Sequence, residues 1–192
     1  MKCSNREIAQ WHFNEGMAAE QEGEKSVAAM AYEQALVYDP GHLFAMVNLG
    51  MISYHQKDFG KAEERFRGAL VVDERYALAH YNLAIVVEEG SRWEEAERHY
   101  RLALNVSPRF ANAHFNLAEL YSRHLADPRK ALKHYWLFCR YRPADDDKRF
   151  LDVARLQIKR IRKRDPHIPT IVSRSGVVLR DKGRNIALSL VG

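Results

Sequence analysis

A repeat of 34 residues constrains the fold of this 192-residue chain more than any other feature. Each copy carries one asparagine at the same place, at Asn14, Asn48, Asn82 and Asn116. Glycine or alanine follows two residues later, and other small and aromatic residues recur with the same period, apart from one extra residue in the fourth copy. Such a period indicates an array in which each unit buries its apolar face against its neighbours. Within residues 1–145 we predict repeats at 9–42, 43–76, 77–110 and 111–145.

The apolar spacing within each copy predicts two helices. In the third copy, the small and apolar residues between 96 and 104 recur at i, i+4, i+7 and i+8, on one helical face. Ser91 and Glu94 form the S-x-x-E pattern of a capping box, so we predict that Ser91 caps this second helix. In the fourth copy we predict Asp127 as the N-cap, with Pro128 in the first helical position.

The pattern resembles the tetratricopeptide repeat family, whose 34-residue unit is a helix–turn–helix with the markers "NLG", A, F, A and P in that order. The resemblance covers about 137 residues. It implies an all-α, right-handed superhelix, an α-solenoid, in which the first helix of each repeat lines a concave groove. Three positions depart from the family pattern: Trp11 lies one place early, Lys25 replaces an aromatic residue, and Glu74 replaces the closing proline.

The residues after the repeats predict a cap and a tail. Residues 146–164 form a basic helical pattern that is expected to cap the array. Its apolar stripe is expected to dock on the fourth repeat and consists of Phe150, Val153, Ala154, Ile158 and Ile161. Residues 165–192 contain β-branched residues and a "DKGR" turn between two apolar runs. A small hairpin, an extended arm and disorder all stay open for this tail.

The charge of the chain is divided between its two parts. Residues 1–127 carry 13 Lys and Arg against 19 Asp and Glu, a net charge of −6, whereas residues 128–192 carry 17 against 6, a net charge of +11. The basic run "KRIRKR" at 159–164 has three readings: a solvated cap, an adaptor surface for nucleic acid or an anionic membrane, and a contact with an acidic neighbour such as repeats 1–3 of another copy. Few aromatic residues are interleaved with these basic residues for base stacking, which disfavours nucleic acid as the partner.

Bulk properties favour a cytoplasmic protein. No apolar run approaches the roughly 18 residues that span a bilayer, and the N-terminal sequence lacks the apolar core of a secretory signal. Cys3 and Cys139 are too few for a disulfide framework, which is typical of a reducing compartment. The chain begins with Met1, which favours a complete chain over a fragment of a larger enzyme.

The family resemblance implies which residues face the groove, because positions 2, 5, 6, 9, 12 and 13 of each repeat do so. Position 6 is the repeated asparagine, whose carboxamide can donate to and accept from a peptide backbone at once. Such a row resembles the asparagine ladder of the O-linked N-acetylglucosamine transferases; the alternative is that asparagine is only a tolerated polar residue there. The peptide-binding groove predicted in this way comprises Phe13, Asn14, Met17, Asn48, Met51, Tyr81, Asn82, Ile85, Phe115, Asn116 and Arg123.

The groove sequence also narrows the partner. Repeat domains that bind acidic C-termini use a clamp of lysines and an arginine, and here Arg123 is the only basic residue at those places. The others are Phe13, Met17, Asn48, Leu78 and Asn82. Four glutamates are expected on the wall and favour a neutral or basic extended segment over an acidic one, unless they are merely solvated. They are Glu20, Glu88, Glu89 and Glu119.

No pattern indicates catalysis, a metal or a cofactor. His12, His80 and His114 share one position of successive repeats, so they lie too far apart to bind one ion. The sequence contains no glycine-rich phosphate loop and no G-x-S-x-G motif. We therefore predict a non-enzymatic protein–protein interaction module or scaffold with no cofactor. Self-association through the C-terminal tail stays open.

Overall fold

The structure, a computed structural model, describes residues 3–142 and 148–168. Within these ranges the chain is all-α, without a strand, so the expectation of an α-solenoid is confirmed. Nearly all of the predicted tail, 165–192, lies outside the described residues, which end at Ile168. The helices are α1 (Asn5–Gln21), α2 (Lys25–Tyr38), α3 (Leu43–His55), α4 (Phe59–Val72), α5 (Ala77–Glu89), α6 (Trp93–Val106), α7 (Ala111–Arg123), α8 (Pro128–Tyr141) and α9 (Lys148–Arg164).

The helices pack in the order of the chain. α1 with α2, α3 with α4, α5 with α6, and α7 with α8 make the most extensive contacts, and we call the members of each pair the first and second helix of a hairpin. The first helix of each hairpin also packs on the second helix of the preceding one, and α9 packs on α8 in the same way. The exact repeat boundaries and the cap stay predictions.

Small residues on the first helices determine how closely the two helices of a hairpin pack. A Cβ atom added to Gly16 would lie 2.5 Å from the ring of Tyr32, and one added to Gly50 would lie 2.5 Å from the ring of Phe66. The corresponding aromatic rings of the second helices are all fully buried. Each hairpin is therefore spaced by one aromatic ring that packs directly on the helix opposite it.

The turn within each hairpin contains one residue with left-handed backbone. The φ angles are 82° at Gly23, 63° at Lys57, 58° at Ser91 and 48° at Ala126, one per repeat. The residue that follows is the N-cap of the second helix. Its side chain accepts a hydrogen bond from a backbone N–H in two of the hairpins, Asp58 from Lys61 (3.1 Å) and Asp127 from Lys130 (2.9 Å).

These turns decide the two capping predictions. Asp127 as N-cap with Pro128 at the start of α8 is confirmed. The prediction of a capping box at Ser91 is wrong, because Ser91 is the left-handed residue of the turn and lies one place too early. α6 begins at Trp93, and its N-cap is Arg92, which makes no side-chain capping hydrogen bond.

One motif forms the contact between hairpins. Alanine, a branched residue four places later and another three places after that are at most 5% exposed in α3, α5 and α7. The three sets are Ala45–Leu49–Ile52, Ala79–Leu83–Val86 and Ala113–Leu117–Leu120. The same spacing in α9 places Ala154, Ile158 and Ile161 against α8, with Ala154 fully buried and Ile161 8% exposed. α9 thus stacks like the first helix of a fifth hairpin.

The predicted docking stripe of the cap is correct for three of its five residues. Phe150 and Val153 are 49% and 38% exposed, and Leu151 is buried in their stead. At 100° per residue, Val153 points about 100° away from Ala154. Because the Ala–Ile–Ile register fixes the rotation of α9, Val153 turns away from α8. Phe150 lies four residues before Ala154, in the first turn of α9, and its ring packs on Phe115 of α7.

Candidate functional site

The predicted groove residues differ in their accessibility. Asn14, Met17 and Arg123 are exposed. Seven others are half-buried on the first helices: Phe13, Asn48, Met51, Tyr81, Ile85, Phe115 and Asn116. Asn82 is only 4% exposed.

Two of the asparagines form contacts between successive first helices. Asn48 Nδ2 donates to the sulfur of Met17 at 3.4 Å, and Asn116 Nδ2 donates to the hydroxyl oxygen of Tyr81 at 3.2 Å. Each bond joins an asparagine to the preceding repeat. A carboxamide has two donor hydrogens and two acceptor lone pairs, so each of these side chains keeps unused capacity for a ligand.

The four predicted groove asparagines are not equally accessible, and Asn82 is the exception. The helix that carries it, α5, packs against α4 and α6 and also contacts α3. The Asn82 side chain is correspondingly buried among these helices, at 4% exposure. Asn82 therefore offers little surface to a ligand, whereas Asn14 is exposed and accepts a hydrogen bond from Gln10 Nε2 at 2.9 Å.

The four glutamates predicted on the wall share one arrangement, since each accepts a hydrogen bond from a tyrosine hydroxyl. The pairs are Tyr32 to Glu20 (2.6 Å), Tyr54 to Glu89 (3.1 Å), Tyr100 to Glu88 (2.9 Å) and Tyr135 to Glu119 (2.5 Å). Burial raises the pKa of Glu88, and the hydrogen bond from Tyr100 opposes this shift. The tyrosines orient the carboxylates and leave acceptor capacity on each.

The concave side contains a cleft of about 530 Å³ between α5, α7 and α9. Four of the predicted residues line it: Ile85, Phe115, Asn116 and Arg123. The carboxylates of Glu88, Glu89 and Glu119 line it as well. The remaining predicted residues lie outside this cleft, on the first helices of repeats one to three.

Sequence reasoning missed the contribution of α9 to this cleft. Phe150 and Val153 line it, and the Phe150 ring lies 5.2 Å from the Phe115 ring, centroid to centroid, at a near-perpendicular angle of 81°. The signal was present in the spacing of Ala154, Ile158 and Ile161. That register places Gln157 where the other first helices carry asparagine, so α9 adds a fifth carboxamide position.

One ion pair lines the cleft, between Glu119 and Arg123. Glu119 Oε2 lies 2.6 Å from the Arg123 guanidinium, but without the alignment of a hydrogen bond. The Arg123 side chain is 63% exposed, whereas that of Glu119 is 12% exposed. The carboxylate is therefore fixed within the wall, and its cationic neighbour lies in solvent, where another cation can replace it.

Two histidine pairs, in which His80, His99 and His114 are buried and His134 is half-buried, were also missed. His80 Nδ1 lies 3.1 Å from His99 Nδ1, and His114 Nδ1 lies 2.9 Å from His134 Nδ1. Within residues 3–142 and 148–168, no group of three or more His, Cys, Asp and Glu side chains is arranged to hold a metal ion. In the same ranges, no helix has the length and apolar character needed to cross a membrane.

A family model described as tetratricopeptide repeat matches residues 13–70 and 56–106. The chain belongs to the tetratricopeptide repeat family. Tetratricopeptide repeat proteins are generally non-catalytic scaffolds for protein–protein interaction. No curated protein matches this sequence.

Solved structures of several other proteins are similar to this chain in fold. A mutant O-GlcNAc transferase of Thermobaculum terrenum matches with 23% identity and a TM-score of 0.66, over 73% of this chain and 27% of that one. MamA matches with 20% identity and a TM-score of 0.67, over 80% and 85% of the two chains. PilF of Pseudomonas aeruginosa matches with 18% identity and a TM-score of 0.67, over 83% and 77%. At these identities the likeness establishes the fold, and the chain spans only about a quarter of the transferase.

Proposed function

We propose that this tetratricopeptide repeat protein binds an extended, neutral or basic segment of another protein, with the cleft between α5, α7 and α9 as its principal site. The observation that carries the proposal is the convergence of apolar rings, a carboxamide and three oriented carboxylates on one concave cleft. Its volume of about 530 Å³ lies within the range typical of ligand sites.

The cleft has separate means of holding a backbone and a side chain. Asn116 keeps donor and acceptor capacity beyond its bond to Tyr81, which suits the N–H and C=O groups of an extended chain. Phe115 and Phe150 form an apolar wall beside it. An extended strand rises about 3.3 Å per residue, so carboxamides about 10 Å apart on successive first helices meet roughly every third ligand residue.

The charge of the cleft supports a lysine or arginine in the bound segment. Three carboxylates line it against the guanidinium of Arg123, which already pairs with Glu119. An incoming cation between Glu88, Glu89 and Glu119 gains charge-assisted hydrogen bonds to oxygens that the tyrosines hold in place. Acidic segments meet repulsion at the same place.

Peptide selection tests this proposal without knowledge of the natural partner. Twelve-residue random peptides displayed on phage are selected against the protein, and synthetic copies are then measured by fluorescence anisotropy. We expect sequences with at least one Lys or Arg beside apolar residues. We also expect the Kd to rise about tenfold in Asn116→Ala and in Glu89→Gln, the loss of roughly one good hydrogen bond or ion contact.

The matched control is Val71→Ser on α4, a second helix, because Val71 is 88% exposed and lies away from the cleft. It should leave the Kd unchanged, and circular dichroism should show equal helicity in all variants. Selected peptides that are predominantly acidic, or that bind Asn116→Ala and Glu89→Gln as tightly as the parent, would contradict the proposal.

A further inference from the structure

The first end of the solenoid carries an unusual version of the motif that joins hairpins. Where α3, α5 and α7 have a buried alanine and two buried branched residues, α1 has Trp11, Glu15 and Ala18, all exposed. Trp11 is 57% exposed. Exposed Glu7 and Glu22 extend the same stripe by one turn in each direction. We call these five residues the acidic end face.

The other end carries the opposite charge. The register of α9 places Arg155, Lys159 and Arg162 where the other first helices receive their own second helix. Lys159 corresponds to Gly50, which packs directly on Phe66. Lys148 lies on the same side of α9, two turns before Arg155. We call these four residues the basic end face.

The basic end face has no second helix and no ion pair of its own within residues 3–142 and 148–168. Arg155, Lys159 and Lys148 are exposed, and Arg162 is half-buried. None of the four belongs to an ion pair with an Asp or Glu in those ranges. Lys159 in place of glycine or alanine also prevents the close approach on which a further hairpin of this kind depends. Among the residues that the structure describes, α9 therefore presents a row of positive charge with no ion-pair partner.

We propose that the basic end face of one copy binds the acidic end face of a second copy, so that the molecules associate head to tail. The two faces are complementary in charge, and each is a single exposed helical stripe. Trp11 lies between Glu7 and Glu15 in this arrangement, where an arginine or lysine of the partner can stack on its ring.

The chain's own C-terminal residues are a poorer occupant of the basic end face. Residues 169–192 contain four Lys and Arg and one Asp, so they carry the same sign of charge as this face. Nucleic acid or an anionic membrane can supply negative charge, but neither engages the acidic end face with its exposed tryptophan. A second copy accounts for both ends at once.

The contact is heterologous, because two different surfaces meet, and it leaves a free face at each end of every open assembly. One helix against another buries less than the roughly 1,200–2,000 Å² of a stable interface. Association should therefore be weak and should increase with protein concentration. It should decrease with added salt, because the screening length falls to about 3 Å near 1 M ionic strength.

Sedimentation velocity of the full chain at about 50 mM and about 500 mM NaCl measures this association. At low salt we expect the weight-average mass to rise with protein concentration, and at high salt we expect monomer. Glu15→Lys and Lys159→Glu should each raise the self-association Kd at least tenfold. An equimolar mixture of the two variants should associate again, because each supplies the face that the other lacks.

Glu33→Lys on α2 is the matched control, since Glu33 is exposed, lies outside both end faces and gives the same change in net charge as Glu15→Lys. It should associate like the parent protein.

Monomer at every concentration, or no recovery in the mixture of Glu15→Lys with Lys159→Glu, overturns the proposal. Binding of duplex DNA or phosphatidylserine vesicles that Lys159→Glu abolishes, in a protein that stays monomeric, would assign the basic end face to that anionic partner instead. Peptide affinity in the cleft is a separate measurement, and Glu15→Lys should leave it unchanged.

Discussion

At the scale of single residues, the four hairpin turns share one left-handed backbone position but place different residue types in it. Three of the turns have left-handed backbone at the second position after the first helix and the fourth has it at the third, and only the first turn has glycine there, at Gly23. Left-handed backbone costs a non-glycine residue roughly 1–2 kcal/mol. Lys57, Ser91 and Ala126 therefore carry local strain that the packing of their hairpins offsets.

Ser91→Gly and Lys57→Gly should each stabilise the protein by about 0.5–1 kcal/mol, because the relief of strain exceeds the added flexibility of the unfolded chain. Gly23→Ala should destabilise it by about 1 kcal/mol. Urea unfolding followed by circular dichroism gives these free energies. Gly60→Ala on α4 serves as a control, since Gly60 does not share the left-handed backbone. Stabilisation by Gly23→Ala would show that the turn is not strained as described.

Arg92 shows how one residue can exchange a local role for a longer-range one. It occupies the N-cap position at which Asp58 and Asp127 cap their helices, but its guanidinium pairs instead with Glu63 of α4 and Glu95 of α6. The hydrogen bond from Arg92 is the largest cause that lowers the pKa of Glu63 to about 2. α6 thus loses a cap and gains an ion-pair connection to the preceding hairpin.

At the scale of helices, the two histidine pairs connect three elements at once. His80 Nε2 lies 2.9 Å from the carbonyl oxygen of Glu74, in the loop before α5. Because a carbonyl oxygen only accepts, Nε2 of His80 carries a hydrogen, and Nδ1 accepts from His99 Nδ1 on α6. His114 repeats the arrangement with Pro108 and His134. Each pair joins a loop, a first helix and a second helix through neutral imidazoles.

The histidine pairs predict a loss of stability in mild acid. Burial, followed by the nearby His80 and Arg67, lowers the pKa of His99 from an ordinary value of 6.5 to about 4, although Glu95 opposes this shift. Above pH 6.5 both folded and unfolded chains hold this residue neutral, so its contribution is complete. As the pH falls from 6.5 towards 4, the unfolded chain binds the proton first, and about 1–3 kcal/mol is lost.

Urea unfolding at pH 7.5, 6, 5 and 4.5 measures this dependence. His99→Gln removes the titrating group and should flatten the decline, although its stability at pH 7.5 will be lower. His55→Gln, at an exposed position on α3, is the control and should follow the parent curve. A decline of equal steepness in His99→Gln and the parent would assign the acid sensitivity to other groups.

Sequence patterns predicted the helices well and their contacts less well. Spacing alone identified α8, with Asp127 and Pro128 at its start, because the chemistry of a cap is local. It failed at Ser91, where the deciding quantity is a φ angle that the S-x-x-E pattern does not report. It failed for the histidine pairs because each joins two helices, and the extra residue in the fourth repeat hides the period between His99 and His134. Asn82 is 4% exposed although it shares its repeat position with exposed Asn14, and no single repeat encodes this difference.

At the scale of the whole molecule, the hydrophobic core is divided unequally along the solenoid. The larger cluster of buried residues extends from α3 and α4 through α8 and α9 to Ile168. The smaller cluster joins only α1, α2 and α3 around the ring of Tyr32. Within the described part of the chain, α1 has a neighbouring hairpin on one side only. In arrays of this kind stability is approximately the sum of each hairpin and its interfaces with its neighbours, so the first hairpin has the weaker support.

Hydrogen exchange should therefore show that the first hairpin opens before the centre of the array. We expect amides in α1 and α2 to exchange at least tenfold faster than those in α5 to α8, measured by mass spectrometry in about 500 mM NaCl so that contacts between end faces are screened.

Leu49→Ala removes a 5%-exposed side chain that joins α3 to the smaller cluster, and should cost about 2–5 kcal/mol. It should accelerate exchange in α1 and α2 much more than in α7 and α8. The matched variant Leu117→Ala lies in the larger cluster and should accelerate exchange in α5 to α8, because the same motif there holds α7 on α6. Equal exchange along the chain in both variants would mean that the array unfolds as one cooperative unit, in which the division of the core has no energetic consequence.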